Sequence, residues 1–152
     1  MKIGFKAVLL ILFFCNSSLA WAAQGDVPVN APSAPLSQSQ IEKLVEPIAL
    51  YPDSLLTQVM MGSTYPLEIV EADRWVKQNK SLKGSALDSA LKDKSWDPSV
   101  KSLCTVPDVL AKMSENLDWA LDLGDAFLGQ KTQLMDSVQP MRGKAYEAGN
   151  PK

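Results

Sequence analysis

The sequence predicts an all-α fold, a compact bundle of six to seven short-to-medium helices with short connections in which proline starts the next helix. Apolar residues recur with helical spacing through most of the chain. The first such stripe comprises Ile41, Leu44, Val45 and Ile48. No stretch of four or more residues alternates between apolar and polar strictly enough to predict a strand. The length of 152 residues and the 46% hydrophobic content indicate one domain with a buried core.

Prolines coincide with the starts of the predicted helices. Four of them precede a segment with helical periodicity, and these are Pro52, Pro66, Pro98 and Pro107. Proline suits the first helical position, because the amide N–H that it lacks has no partner there. Asp97, directly before Pro98, is a predicted N-cap. The predicted helices span residues 39–50, 53–62, 66–79, 85–93, 98–104 and 107–141, the last with a break near Ser114 or Gly129.

The first 22 residues are predicted to be a signal peptide. Lys2 and Lys6 give the segment a positive start, and residues 7–14 form an apolar run. Residues 20–22, Ala-Trp-Ala, then match the small-x-small pattern of a cleavage site. We therefore expect export to the periplasm, with cleavage after residue 22.

Two other roles for this leader are disfavoured by its composition. A membrane anchor needs about 20 apolar residues, and the polar residues 16–18 interrupt the run before that length is reached. Lipid attachment at Cys15 normally requires a small residue before the cysteine, and here that residue is Phe14. The sequence thus predicts no transmembrane segment once the leader is removed.

The remainder of the chain is predicted to have three parts. Residues 23–38 contain three prolines and few large apolar groups, which indicates a flexible linker. Residues 39–142 form the predicted helical domain. Residues 143–152 have a composition similar to the linker and are predicted to be a disordered tail.

Composition excludes several classes of function. The chain has no histidine, which excludes Ser-His-Asp triads, Cys-His pairs and imidazole zinc sites. No glycine spacing fits a phosphate-binding loop. Loss of the leader removes two of 15 basic residues and leaves 13 against 17 acidic ones, a balance that disfavours nucleic acid as a partner. We therefore expect no cofactor, no metal and no nucleic-acid partner.

Several multi-residue strings, which occur in order along the predicted domain, point to a known family. They are Val45–Leu56 (VEPIALYPDSLL), Thr64–Ala72 (TYPLEIVEA), Arg74-Trp75, Trp96–Lys101 (WDPSVK), Val106–Leu110 (VPDVL), Asp118-Trp119 and Leu123–Phe127 (LGDAF). With these strings the chain resembles a bacterial secreted family known only as domain of unknown function 3300. The resemblance implies an envelope or periplasmic component of Gram-negative bacteria. It implies no activity, cofactor or catalytic residue.

A pair of carboxylates is the first candidate for chemistry. Glu68 and Glu71 lie three residues apart on one predicted helix, and Arg74 follows three residues later. Two carboxyl groups that flank a glycosidic bond are the machinery of glycoside hydrolases. The alternative, which we favour, is a pair of surface glutamates that stabilise the helix through Arg74.

A second group of carboxylates shares one face of a predicted helix. Its members are Glu115, Asp118, Asp122 and Asp125. Calcium and magnesium bind several carboxylate oxygens, so a cation site is one hypothesis. Side chains along one straight helix spread out along its axis, which favours a solvated acidic face instead.

Aromatic side chains and one cysteine complete the candidates. The aromatic residues after the leader include Trp75, Trp96, Trp119, Tyr51 and Tyr65. They either stack on a sugar or peptide ligand or anchor the core, and the latter is favoured. The sequence assigns a binding surface to Tyr51, Tyr65, Arg74 and Trp75. The thiol of Cys104 is predicted to be buried and inert.

The sequence therefore favours a non-catalytic binding or structural module of the cell envelope. Its expected partner is an envelope protein or a cell-wall component. The alternative is a small carboxylate-based hydrolase of cell-wall glycan, with Glu68 or Glu71 as the general acid. The two interpretations differ in whether these glutamates line a concave, partly apolar cleft.

Overall fold

The computed structural model describes residues 35–149. Within this range the chain forms eight α-helices, one short 3-10 helix and no strand. Their bounds are α1 Gln38–Val45, the 3-10 helix Glu46–Ile48, α2 Asp53–Gly62, α3 Pro66–Gln78, α4 Gly84–Lys92, α5 Pro98–Leu103, α6 Pro107–Glu115, α7 Leu117–Gly129 and α8 Lys131–Glu147. The predicted signal peptide, residues 23–34 of the predicted linker and residues 150–152 of the predicted tail lie outside the described residues.

The all-α class is confirmed, but the prediction of six to seven helices is too low for the described residues. The segment 107–141, predicted with one break near Ser114 or Gly129, has two breaks and forms three helices. The backbone leaves the helical region at both Asn116 (φ −119°, ψ 59°) and Gln130 (φ −136°, ψ 38°). The Asn116 side chain donates to the carbonyl of Lys112 at 2.8 Å and so satisfies the end of α6. The Gln130 side chain instead bonds the backbone of Leu36, accepting from its N–H at 2.6 Å and donating to its carbonyl at 2.9 Å.

The last helix is longer than predicted. α8 continues five residues beyond Arg142, where the predicted domain ended, and stops at Glu147. The added turn includes Lys144, whose ammonium lies 2.8 Å from a carboxylate oxygen of Glu42 on α1. Residues 143–147, which composition placed in the tail, therefore belong to the final helix.

The predicted helix starts agree with the structure. Pro66, Pro98 and Pro107 each occupy the first residue of a helix, and Pro52 directly precedes α2. Asp97 is the N-cap of α5, since its carboxylate accepts from the N–H of Ser99 at 2.8 Å. Because these helices begin at or directly after a proline, the loops that precede them are short.

The core forms where the helices pack in pairs around α7. α1 packs on α8, α2 on α5 and α3 on α6, while α7 contacts α1, α2, α3, α6 and α8. The large side chains that are fully buried include Ile41, Ile48, Leu56, Met60, Ile69, Leu103, Leu110, Met113, Leu123 and Leu134. No helix among residues 35–149 has the length and apolar character needed to cross a membrane.

A close backbone approach fixes α7 against the turn that precedes α3. A Cβ atom at Gly124 would lie only 2.5 Å from the carbonyl oxygen of Ser63 and 3.2 Å from the amide nitrogen of Thr64. Only glycine leaves room for this contact. The turn that leads into α3 is thereby held in place, and α3 carries most of the candidate site residues.

Candidate functional site

The candidate site is a surface where α3 meets the loop between α4 and α5. We call it the α3–loop face, and it comprises Tyr65, Glu68, Glu71 and Trp75 with Lys94, Trp96 and Asp97. Glu68, Glu71 and Trp75 lie on one side of α3, because their spacing of three and four residues matches one face of a helix. Four of the six residues singled out from the sequence thus lie on this face.

Both glutamates accept hydrogen bonds from the loop. The backbone N–H of Asp97 donates to Oε2 of Glu68 over 2.7 Å. The indole Nε1–H of Trp96 donates to Oε2 of Glu71 over 3.1 Å. Hydrogen bonds to a charged acceptor are among the stronger ones in proteins, so the two carboxylates fasten the loop to α3.

Tyr65 and Asp97 interact at the start of α3. The negative charge of the Asp97 carboxylate is the main cause that raises the pKa of Tyr65 above 10.0. The hydrogen bond from the Ser99 hydroxyl is the main cause that lowers the pKa of Asp97 below 3.8. Tyr65 itself is 41% exposed, so its ring remains available at the surface.

The aromatic part of the face contains a cation. The rings of Trp75 and Trp96 meet edge to face, with centroids 6.0 Å apart and an interplanar angle of 77°. The ammonium of Lys94 lies 5.0 Å from the Trp75 centroid and 5.3 Å from that of Trp96. These distances are within the range of cation–π attraction.

The predicted binding surface does not form one patch of mutually contacting residues. Tyr65 and Trp75 lie on the α3–loop face, whereas Tyr51 has different neighbours: the Arg142 guanidinium donates to its carbonyl at 2.8 Å, and the Lys112 ammonium lies 5.9 Å from its ring. Arg74 is exposed. In the described part of the chain it forms no salt bridge with Glu68 or Glu71, so the expected stabilising pair is replaced by the bonds to the loop.

The loop is a partner of α3 that the sequence patterns do not predict. They indicate a core anchor at Trp96 and a helix cap at Asp97, but they connect neither residue to the glutamates. The contacts join residues 25 and 29 positions apart. The spacing of Glu68, Glu71 and Trp75 on one helical face is the signal that indicates a shared neighbour, although it does not identify that neighbour.

The prediction that the four acidic residues share one helix is wrong, because Glu115 ends α6 while Asp118, Asp122 and Asp125 lie on α7. Across residues 35–149, no three carboxylate or thiolate side chains converge closely enough to hold a metal ion. Asp118, Asp122 and Asp125 are all exposed. Their positions along one helix axis separate the oxygens, as expected for a solvated acidic face.

Cys104 is buried, as predicted, and it is 2% exposed. Burial raises the pKa of its thiol to about 11, because a thiolate loses its hydration in an apolar environment. Its sulfur donates weakly to the carbonyl of Val100 at 3.4 Å. A thiol in this state is a poor nucleophile.

Comparison with known proteins identifies the family. Residues 37–152 match the family model described as a protein of unknown function, DUF3300. The chain belongs to the DUF3300 family. The DUF3300 chain is also 47% identical, over 116 residues, to "Uncharacterized protein YacH" of Escherichia coli strain K12. The match covers 76% of this chain and 19% of that relative, so the chain spans about a fifth of the relative's length. No solved structure matches the chain.

Proposed function

We propose that this DUF3300 domain is an exported, non-catalytic binding or structural module of the cell envelope. Its proposed partner is an envelope protein or a cell-wall component. Export is supported by the two leader lysines, the apolar run at residues 7–14 and the small-x-small pattern at residues 20–22. The periplasm is the compartment that this leader would give the protein in a Gram-negative cell.

The observation that best supports a non-catalytic role is that both glutamates of α3 accept hydrogen bonds from the neighbouring loop. A glycosidase needs one carboxyl that donates a proton to the leaving oxygen and a second one on the other side of the bond. Here Glu68 and Glu71 accept from the Asp97 amide and the Trp96 indole, respectively. Both carboxylates contribute to the structure of the loop, which supports a scaffold role.

The binding part is supported by the surface that these bonds hold in place. Tyr65 is 41% exposed and Leu67, two residues later, is 78% exposed. Aromatic rings with a polar tip are frequent anchors of protein interfaces. Because the neighbouring loop is fastened to α3, the partner would meet a preorganised surface, which reduces the entropy cost of binding.

The comparison with the E. coli relative supports the proposal that this domain is a module. The matching segment makes up 19% of that relative. A domain has its own hydrophobic core and can in principle fold alone within a longer chain.

Site-specific photo-crosslinking in cells tests the proposal. A photoreactive amino acid is placed at Tyr65, and a matched control is placed at Lys92, an exposed residue at the end of α4. Periplasmic fractionation and N-terminal sequencing establish export and the cleavage site. We expect one recurrent crosslinked envelope component from position 65 and none from position 92.

The following outcomes would contradict the proposal. Retention of the chain in the cytoplasm with an intact leader would contradict the envelope location. Identical crosslinking from both positions, or none from either, would contradict the proposed binding surface. Release of glycan fragments by the purified chain, abolished by Glu68→Gln or Glu71→Gln, would support the hydrolase instead.

A further inference from the structure

Trp75 and Trp96 form an aromatic notch at the edge of the α3–loop face. The two rings are 6.0 Å apart and nearly perpendicular, so together they present two walls. The ammonium of Lys94 lies between 5.0 and 5.3 Å from both ring centroids. The notch therefore already holds a cation from its own loop.

The chemistry of Lys94 does not match this environment well. In the described residues its ammonium forms no salt bridge, and the attractive contacts it makes are those with the two rings. A primary ammonium carries three N–H donors and is strongly hydrated, and indole faces cannot replace those hydrogen bonds. A quaternary ammonium has no N–H group to desolvate, so it is better suited to the same two walls.

The Trp96 wall of the notch is held in place independently of Lys94. Trp96 is 8% exposed, and its Nε1–H donates to the carboxylate of Glu71 at 3.1 Å. A hydrogen bond to an anion polarises the indole and makes its face more attractive to a cation. Lys94 lies in the loop after the end of α4 at Lys92, and within the described residues no salt bridge has to break when its side chain leaves.

We infer that the Trp75–Trp96 notch is a binding site for a quaternary ammonium group, and that Lys94 occupies the notch until such a ligand displaces it. The inference names a class of ligand for the α3–loop face. It rests on the proposed function in one respect, namely that this face binds a ligand and does not catalyse a reaction. The group could reach the notch as a free solute or as a lipid headgroup.

Choline chloride is the first probe, titrated into the purified, nitrogen-15-labelled chain at constant ionic strength. Indole N–H resonances are followed by NMR, with assignments from Trp→Phe variants. We expect saturable shifts for Trp75 and Trp96. Trp119 is the internal control, because its Nε1–H is bonded to the carbonyl of Leu44 at 3.0 Å, away from the notch. Ammonium chloride should produce much smaller shifts.

Two lysine variants distinguish choline binding at the notch from a general effect of removing one positive charge. Lys94→Gln removes the competing cation and should tighten choline binding about ten-fold, since an intramolecular group competes at high effective concentration. Lys131→Gln is the matched control, because the Lys131 ammonium lies 5.0 Å from a single ring, that of Phe127. It should leave choline affinity unchanged. Trp75→Leu should abolish the shift at Trp96, with circular dichroism as the check on folding.

A second arm distinguishes the two sources of the ligand. Flotation with phosphatidylcholine vesicles, compared between the wild-type chain and Trp75→Leu, detects headgroup binding. Choline binding without vesicle binding indicates a free solute, and vesicle binding lost in Trp75→Leu indicates a headgroup; both support the site. No saturable choline shift in either the wild type or Lys94→Gln would overturn the inference. So would equal affinities for Lys94→Gln and Lys131→Gln. Crosslinking from Tyr65 is unaffected by these outcomes, so the two proposals fail separately.

Discussion

Glu68 and Asp97 are joined by a hydrogen bond of 2.7 Å in which the Asp97 backbone N–H donates to the Glu68 carboxylate. The bond links α3 to the residue that caps α5, across 29 positions of sequence. Asp97 is thus held through its amide by Glu68, while its own carboxylate accepts from Ser99. A residue bonded on both sides fixes the entry of the chain into α5. The α3–loop face owes its shape to this junction.

The contact at Gly124 predicts opposite effects of two glycine substitutions. Gly124→Ala would place a methyl group 2.5 Å from the Ser63 carbonyl oxygen, and it should lower the free energy of unfolding by about 1–3 kcal/mol. Gly143→Ala, in α8 with no atom within 4 Å of the new Cβ, should raise it by roughly 0.5–1 kcal/mol. Urea denaturation measures both. A neutral Gly124→Ala variant would show that the turn and α7 are not in contact.

The Tyr65–Asp97 pair predicts a change in tyrosine titration. The negative charge of Asp97 raises the pKa of Tyr65 above its usual 10.0. The pair therefore favours the folded state at pH values below 10.0, and this contribution is lost as the pH rises through the raised pKa. Asp97→Asn should lower the pKa of Tyr65 towards its usual value, while asparagine preserves the helix cap.

Ultraviolet absorbance of tyrosinate follows this titration, and Tyr65→Phe identifies the transition that belongs to Tyr65. An Asp97→Asn variant with an unchanged Tyr65 transition would mean that the two side chains do not interact.

The thiol of Cys104 should be protected in the folded protein. With a pKa of about 11, only about one thiol in a thousand is ionised at about pH 8, and the cysteine residue is 2% exposed. Labelling by a thiol reagent should therefore be slow and should follow the opening of the protein. The denatured chain is the control and should react at once. Rapid labelling of the folded chain would contradict the buried position of this cysteine.

Arg142 should contribute to the attachment of α8. Its guanidinium donates to the carbonyls of Ala49 and Tyr51 at 2.7 and 2.8 Å. Arg142→Ala should lower the free energy of unfolding by about 2 kcal/mol, because these two charge-assisted hydrogen bonds and the salt bridge to the exposed carboxylate of Asp53 are lost. Arg142→Lys should recover only part of this loss, since an ammonium lacks the planar fork that serves both carbonyls.

The matched control for this prediction is Arg74→Ala. Arg74 is exposed and forms no salt bridge within residues 35–149, so its removal should change stability by less than about 0.5 kcal/mol. Thermal unfolding compares the variants. Equal losses for Arg142→Ala and Arg74→Ala would indicate that the bonds to the carbonyls contribute nothing.

Local patterns in the sequence are sufficient for the helices and their proline-marked starts, because both depend on neighbours in the chain. They also predict a break near Gly129, next to the one observed at Gln130, but they do not identify its tertiary partner. Gln130 leaves the helix while its side chain bonds Leu36, which lies 94 positions away. The same limit applies to the candidate site. Helical spacing groups Glu68 with Glu71, but only the folded chain brings Trp96 to them.

Tyr51 and Trp75 show that residue type alone does not establish a shared surface. Both are aromatic, and the sequence assigns both to one binding surface. In the structure, Tyr51 is next to Arg142 of α8, and Trp75 is next to Trp96 of the loop. Residue type therefore indicated candidates for binding, and tertiary contacts decided which of them share a face.

The most direct test of the account is the yield of partner crosslinking from position 65 in two double variants. Glutamine retains a carbonyl oxygen that can accept from the Asp97 amide and the Trp96 indole, whereas alanine retains none. If Glu68 and Glu71 shape a binding face, Glu68→Gln/Glu71→Gln should crosslink nearly as well as the wild type, and Glu68→Ala/Glu71→Ala should lose most of the yield. An equal loss in both double variants would contradict the account, because it would show that the carboxylates themselves are required.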